Sequence, residues 1–164
     1  MRSRFLLLVL AGLMAEPVPA VEAAQNWFND PFFQITSAVP GCPLPAGPFT
    51  PESDQRVQAH RRAEKGTTCW LAHECDRPNA YAYDANIAAA FQAAVHEHNP
   101  FPDTTLWVTV PGRVLYIEGC VAQASQAAAI EAFATQVPHV QQAIAIVRSD
   151  ASTRPPYRIR AASP

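Results

Sequence analysis

The chain has 164 residues, enough for one domain of ordinary size with appendages, and its length does not require two full cores. Hydrophobic residues make up 49% and charged residues 16%, against a usual charged share of about 25%, so global disorder is excluded. The 12 basic and 14 acidic residues give a formal charge of -2. That balance argues against nucleic-acid binding, which needs a basic excess or a concentrated basic face.

The first twenty residues have the three parts of an export signal. Arg2 and Arg4 form a charged start, residues 5–15 are an apolar run without charge, and small residues precede a cleavage position after Ala20. Ala23 is the second choice for cleavage, and a buried N-terminal helix is the alternative interpretation. The apolar run is too short to span a bilayer core of about 30 Å. We therefore expect a periplasmic chain without a transmembrane segment, with 10 basic and 13 acidic residues and a formal charge of -3.

Four cysteines follow the export signal: Cys42, Cys69, Cys75 and Cys120. An even number of cysteines in an oxidising compartment favours disulfides, here two bridges with three possible connectivities. A metal or redox site is the alternative, because Cys69, His73 and Cys75 lie within seven residues and His60 lies upstream. Five residues separate these two thiols, whereas zinc-binding pairs usually have about two to four between them. We expect disulfides and no bound metal or cofactor.

Residues 21–83 form a proline- and cysteine-rich extension with one short helix. Its stretch 25–50 combines aromatic residues with prolines, which predicts an extended segment lying on another surface of the protein. A binding or membrane-interface patch is the alternative for the aromatic residues. Thr50 or Ser53 is expected to cap a helix that runs through Lys65 and ends at Gly66. Its basic residues predict a solvated face, with anion binding as the alternative: Arg56, His60, Arg61, Arg62 and Lys65.

The region 84–148 has the most regular pattern in the chain. Asp84 is expected to accept hydrogen bonds from the free amides at the start of a helix that ends near Pro100. Alternating apolar residues predict two strands joined by a turn at Pro111 and Gly112. A second helix and a last strand follow. The predicted bounds are 84–98 for the first helix, 106–110 and 114–121 for the hairpin strands, 123–136 for the second helix and 140–147 for the last strand.

This element order resembles that of a BON domain, the bacterial module named for osmotically induced and nodulation proteins. The resemblance is carried by Val110-Pro-Gly-Arg-Val-Leu-Tyr-Ile-Glu-Gly-Cys-Val121, by the alanine-rich helix after it and by the corner Val137-Pro-His-Val140. Gly112 matches the turn glycine of the family and Gly119 its strand glycine, whereas His139 stands where the family usually has glycine. The resemblance covers residues 84–148. It leaves 149–164 as a flexible basic tail.

The predicted fold is α+β, a small α-β-β-α-β sandwich with two helices on one face of a three-stranded mixed sheet. By strand parity, Trp107, Tyr116 and Cys120 share the opposite face. We expect the stretch 25–50 to lie across that face and to be joined to it by a Cys42–Cys120 disulfide. Cys69 and Cys75 then form the second bridge.

The chain shows no nucleophile elbow and no glycine-rich phosphate loop, and we expect it not to be an enzyme. The resemblance implies an envelope module that binds phospholipid or a protein partner. Four arginines near the C-terminus are the candidate binding residues: Arg148, Arg154, Arg158 and Arg160. Anionic head groups attract basic residues by about 1 kcal/mol each. A disordered tail is the alternative for these residues, and a structural accessory of an envelope complex is the alternative for the whole protein.

Overall fold

The computed structural model describes residues 22–160, so the predicted export signal lies outside the described residues. Four strands form one sheet in the spatial order β1, β2, β3, β4. The strands are β1 Phe32–Ser37, β2 Thr105–Thr109, β3 Val114–Cys120 and β4 Gln142–Arg148. β2 is antiparallel to both β1 and β3, whereas β3 and β4 are parallel. The α+β class and the mixed sheet are as predicted, but the sheet has four strands instead of three.

The additional strand, β1, lies in the stretch 25–50, which was predicted to be an extended segment on another surface and not a strand of the sheet. The prolines lie outside the strand, and the six residues between them contain none. Phe33 and Ile35 pack against the core, and Gln34 is exposed. A register shift interrupts the pairing between Gln34 and Thr36. β1 forms an edge of the sheet, where irregular pairing of this kind is common.

Four helices accompany the sheet: α1 Glu52–Gly66, α2 Thr68–Leu71, α3 Asp84–His98 and α4 Gln126–Ala134. A short 3₁₀ helix at Ala80–Tyr83 leads into α3. α1 ends at Gly66 as predicted, but neither Thr50 nor Ser53 caps it, since Pro51 is its N-cap residue and no side-chain hydrogen bond is made there. α4 is shorter than predicted. No helix among residues 22–160 is long and apolar enough to cross a bilayer.

The core lies between one face of the sheet and the helices α3 and α4. Ile87 and Phe91 of α3 are fully buried, as is Ile130 of α4, and they join the inward-facing residues of β2 and β3 in one cluster. These are the apolar stripes that the sequence pattern predicts. Burial of such a continuous apolar layer supplies the main favourable term for folding.

Asp84 makes contacts different from those predicted. Its two carboxylate oxygens accept hydrogen bonds from the backbone N–H groups of Gly112 (2.7 Å) and Arg113 (2.8 Å), and Tyr83 occupies the N-cap position of α3. The carboxylate therefore ties the start of α3 to the β2–β3 turn. Gly112 and Arg113 both have positive φ, 64° and 69°, so the turn presents two successive amides to one acceptor.

Gly119 is the glycine that the fold requires most. Its φ is 149°, and a Cβ at this position would overlap the backbone carbonyl oxygen of Thr105 on the neighbouring strand. His139, at the corner before β4, adopts a positive φ of 70° although it is not glycine. Its ring lies 4.9 Å from the ring of Tyr83. The backbone therefore bends at this corner even though histidine stands where the family usually has glycine.

The disulfide pairing is Cys42–Cys120 and Cys69–Cys75, as predicted. The first bond joins the N-terminal extension to the end of β3, on the sheet face opposite α3 and α4. The backbone N–H of Val39 donates to the hydroxyl of Thr105 on the same face (2.7 Å). The extension thus crosses part of this face, which we call the far face.

The C-terminal segment also covers the far face, which corrects the prediction of a flexible tail for its residues up to Arg160. Pro45 and Ile159 form an antiparallel bridge, and Arg160 donates its backbone N–H to the carbonyl of Leu44 (2.9 Å). Tyr157 is buried, and its hydroxyl donates to the carbonyl of Pro43 (3.0 Å). Both ends of the described chain therefore contribute to this face of the molecule.

Candidate functional site

A cleft of about 470 Å³ opens on the far face between α1, the loop before it and the sheet. α1 contributes one side of the cleft, with Arg61, Arg62 and Lys65 among its lining residues. Residues of β2 and β3 form the base, because Thr109 and Tyr116 lie opposite each other in the strand register and point to the far face. The cleft is thus built by elements that lie far apart in sequence.

Arg62 holds α1 against the N-terminal extension. Its guanidinium lies 2.9 Å from the carboxylate of Asp30, 3.7 Å from the ring centre of Tyr81 and 4.4 Å from that of Phe28. Burial raises the pKa of Asp30, and the charge of Arg62 partly opposes this rise. A planar guanidinium can stack on rings and pair with a carboxylate at the same time, so the charged group of Arg62 already has partners within the protein.

The remaining basic residues of α1 have different surroundings. The side chain of His60 lies 3.3 Å from that of Glu64 on the exposed side of the helix. Arg61 and Lys65 are exposed residues that line the cleft. Of the basic face predicted from the sequence, Arg61, Arg62 and Lys65 therefore come together at the cleft, and Arg56 and His60 do not line it.

A buried hydroxyl and a half-buried carboxylate lie at the base of the cleft. The hydroxyl of Thr109 is buried and makes no hydrogen bond with any group of residues 22–160. Glu118, on the neighbouring strand, is half-buried, and desolvation raises its pKa while the charge of Arg158 lowers it. A buried polar group without a partner is uncommon and calls for an explanation, such as an external ligand.

The four candidate arginines of the C-terminal region lie in separate surroundings. Arg148 donates to the carbonyls of Ala151 (3.3 Å) and Thr153 (2.8 Å). The remaining three arginines, Arg154, Arg158 and Arg160, are exposed. Arg158 lines the cleft, and the guanidinium of Arg160 lies 3.9 Å from the ring centre of Phe49.

The candidate metal or redox residues form a closed turn. Cys69 is buried and bonded to Cys75, and His73 is exposed with a positive φ of 58°. Because the two sulfurs are bonded to each other, thiolate ligands arise here only after reduction. Within residues 22–160, no three His, Cys, Asp or Glu side chains are grouped so that they could hold a metal ion.

No local sequence pattern predicts the cleft. Strand parity alone could have placed Thr109 and Glu118 beside Tyr116 on the far face, since alternate residues of paired strands share a face. The other side of the cleft depends on how α1 packs, which hydrophobic periodicity does not reveal because α1 buries only Gly66. Comparison of the chain with protein-family models, curated proteins and solved structures finds no match.

Proposed function

We propose that this protein is an exported, non-enzymatic binding protein of the bacterial envelope, with residues 84–148 as a BON-like domain that contacts phospholipid or an envelope protein. The single observation that carries the binding role is the cleft, where basic side chains surround the buried Thr109 hydroxyl, which has no partner within residues 22–160. A concave site with a few convergent polar groups is the usual form of a binding site.

Three features support the family and the compartment. The elements from α3 to β4 follow the order helix, strand, strand, helix, strand that the resemblance implies. Gly119 has a conformation that only glycine adopts readily, and His139 bends the backbone where the family usually has glycine. Two disulfides are typical of an oxidising compartment, and we propose the periplasm.

The arginines of the C-terminal segment are the residues that we propose to contact anionic head groups. Arg158 and Arg160 lie on a segment that is paired with the loop at Pro45, so both side chains are presented from a fixed backbone. At an anionic membrane surface, each basic residue adds about 1 kcal/mol to the binding free energy, which corresponds to about a fivefold gain in affinity.

Vesicle flotation tests this role. We expect the oxidised protein to float with vesicles that contain anionic phospholipid and to remain unbound with neutral vesicles. The double variant Arg158→Ala with Arg160→Ala should weaken the association by about 25-fold if both residues lie near the surface. Arg56→Ala is the matched control, because Arg56 is an exposed arginine outside the cleft. Absence of flotation with both kinds of vesicle would reject the phospholipid role and leave the protein partner, which cross-linking in cells then tests.

The metal or redox role is the second candidate. It is favoured by the closeness of His73 to the Cys69–Cys75 bond, which closes a turn at the surface. Elemental analysis of the reduced, purified protein tests it. This role would be supported by stoichiometric zinc or copper in the reduced protein that is absent from the double variant Cys69→Ser with Cys75→Ser. A metal-free reduced protein would reject it.

A further inference from the structure

Three basic side chains reach the cleft without a salt bridge, although the charge of one of them, Arg158, acts on Glu118. Within the part of the chain that the structure describes, no carboxylate lies within 4.0 Å of the charged groups of Arg61, Lys65 or Arg158. Arg61 and Lys65 are four residues apart on α1, so they project from the same side of the helix and repel each other. An anionic group between them removes that repulsion. The cleft is lined by four basic residues and by the two carboxylates of Asp30 and Glu118, so its net charge favours an anionic ligand.

The base of the cleft requires a different chemistry from its rim. The buried Thr109 hydroxyl can donate and accept, and it makes no hydrogen bond within residues 22–160. The half-buried Glu118 carboxylate on the neighbouring strand can accept. A phosphate ion offers mainly acceptors and would face the carboxylate as a like charge. Ligand hydroxyl groups donate as well as accept, so they can satisfy both side chains.

The cleft also has apolar surfaces suited to a ring. Tyr116 and Ile146 line it from β3 and β4, and Pro48 and Pro111 line it from the two adjoining loops. Aliphatic C–H groups pack favourably on such surfaces. The volume of about 470 Å³ lies within the range of small-molecule sites, about 300–1,000 Å³, and suits a ligand of one or two rings.

We propose that the cleft binds a sugar acid, with the carboxylate of the ligand between Arg61, Lys65 and Arg158 and its hydroxyls on Thr109 and Glu118. This inference rests on the proposed function in one respect: the protein is assumed to bind its ligand without a chemical reaction. It assigns a small-molecule site to a surface for which the family resemblance implies none.

Three matched probes separate the parts of this proposal. Glucuronate carries a carboxylate and hydroxyls on one ring, glucose carries the hydroxyls without the charge, and inorganic phosphate carries charge without the ring. Two-dimensional NMR titration of the oxidised protein measures each affinity and locates the shifted amides. We expect saturable shifts at cleft residues with glucuronate. Glucose should bind at least about tenfold more weakly because it cannot form the charge-assisted hydrogen bonds, and phosphate likewise because it lacks the hydroxyl contacts of the ring.

Thr109→Val gives the sharpest test in the protein itself. Valine matches threonine in shape, and the hydroxyl that it removes has no partner among residues 22–160, so the variant should fold with unchanged or increased stability. It should nevertheless bind glucuronate about fivefold more weakly. Arg61→Ala should weaken binding by about tenfold or more, and Arg56→Ala should leave it unchanged.

Each contrary result has a definite meaning. Equal binding of glucose and glucuronate would reject the anionic part of the site. Phosphate binding as tight as that of glucuronate, or glucuronate binding that Thr109→Val does not weaken, would reject the sugar. The absence of saturable shifts with all three probes would reject the inference as a whole. Vesicle flotation without glucuronate binding would reject this inference alone, and glucuronate binding without flotation would reject only the phospholipid role.

Discussion

The Asp84 carboxyl group should make the stability of the protein depend on pH in an unusual direction. Burial raises its pKa from 3.8 to about 6, although two backbone hydrogen bonds oppose the rise. Between these two values the folded state binds more protons than the unfolded state, so stability falls as pH rises. A shift of about two pKa units corresponds to about 3 kcal/mol. This decrease should be complete slightly above pH 6.

Asp84→Asn removes this titration. The amide has only one acceptor oxygen for the two N–H groups of Gly112 and Arg113, so near pH 4 the variant should be less stable than the natural protein by about 1–3 kcal/mol. Because the variant does not lose stability through Asp84 on ionisation, its relative stability should improve by about 2 kcal/mol between pH 4 and pH 7.

Denaturant unfolding of both oxidised proteins across this pH interval measures the difference. The difference curve isolates Asp84, because the other titrating groups are common to both proteins. Asp150→Asn is the control: hydrogen bonding by Ser152 lowers the pKa of this exposed group, so its ionisation does not reduce stability as pH rises. Parallel pH profiles for Asp84→Asn and the natural protein would refute the reasoning, as would a relative stability that worsens with rising pH.

Three further predictions concern the fold. Replacing Cys42 and Cys120 together with alanine should lower the free energy of unfolding by about 4–5 kcal/mol, because the bond closes a loop with a sequence separation of 78; denaturant unfolding checks this, and an unchanged midpoint would contradict it. Gly119→Ala should destabilise by about 2–4 kcal/mol through its φ of 149° and the overlap with a neighbouring carbonyl, which thermal unfolding measures; a loss below about 0.5 kcal/mol would oppose this explanation. Arg62→Lys should keep the charge next to Asp30 but lose the stacked guanidinium, with a loss of about 1 kcal/mol in the same assay, and equal stability would show that stacking contributes nothing.

The helices and strands of residues 84–148 were predictable because their side chains repeat with the period of the element. Ile87 and Phe91 lie one helical turn apart, and Leu106 and Val108 alternate along a strand, and all four are buried. The disulfide pairing was predictable for a related reason. Strand parity placed Cys120 on the face away from the helices, and the N-terminal extension, which carries Cys42, was the segment expected to cover that face.

The parts that could not be predicted depend on contacts between distant segments. β1 is short and lies among prolines, and only its pairing with β2 makes it a strand. Tyr157 lies in a proline-rich sequence that has the composition of a flexible tail, yet the surface formed by Pro43 and Cys42 buries it. The cleft requires both of these arrangements together with the position of α1, and no local pattern contains that information.

The two disulfides are nested, since the bond between the first and last cysteines encloses the bond between the middle two. During synthesis and the proposed export, Cys42 emerges before its partner by most of the length of the domain, and Cys69 and Cys75 are exposed to it in the meantime. Pairing in order of emergence would therefore produce the wrong bonds. Correct maturation requires that Cys42 stays reduced until Cys120 arrives, or that an isomerase exchanges the early bonds. We expect the yield of native protein in the cell to depend on such an enzyme more strongly than it would for a chain with consecutive pairing.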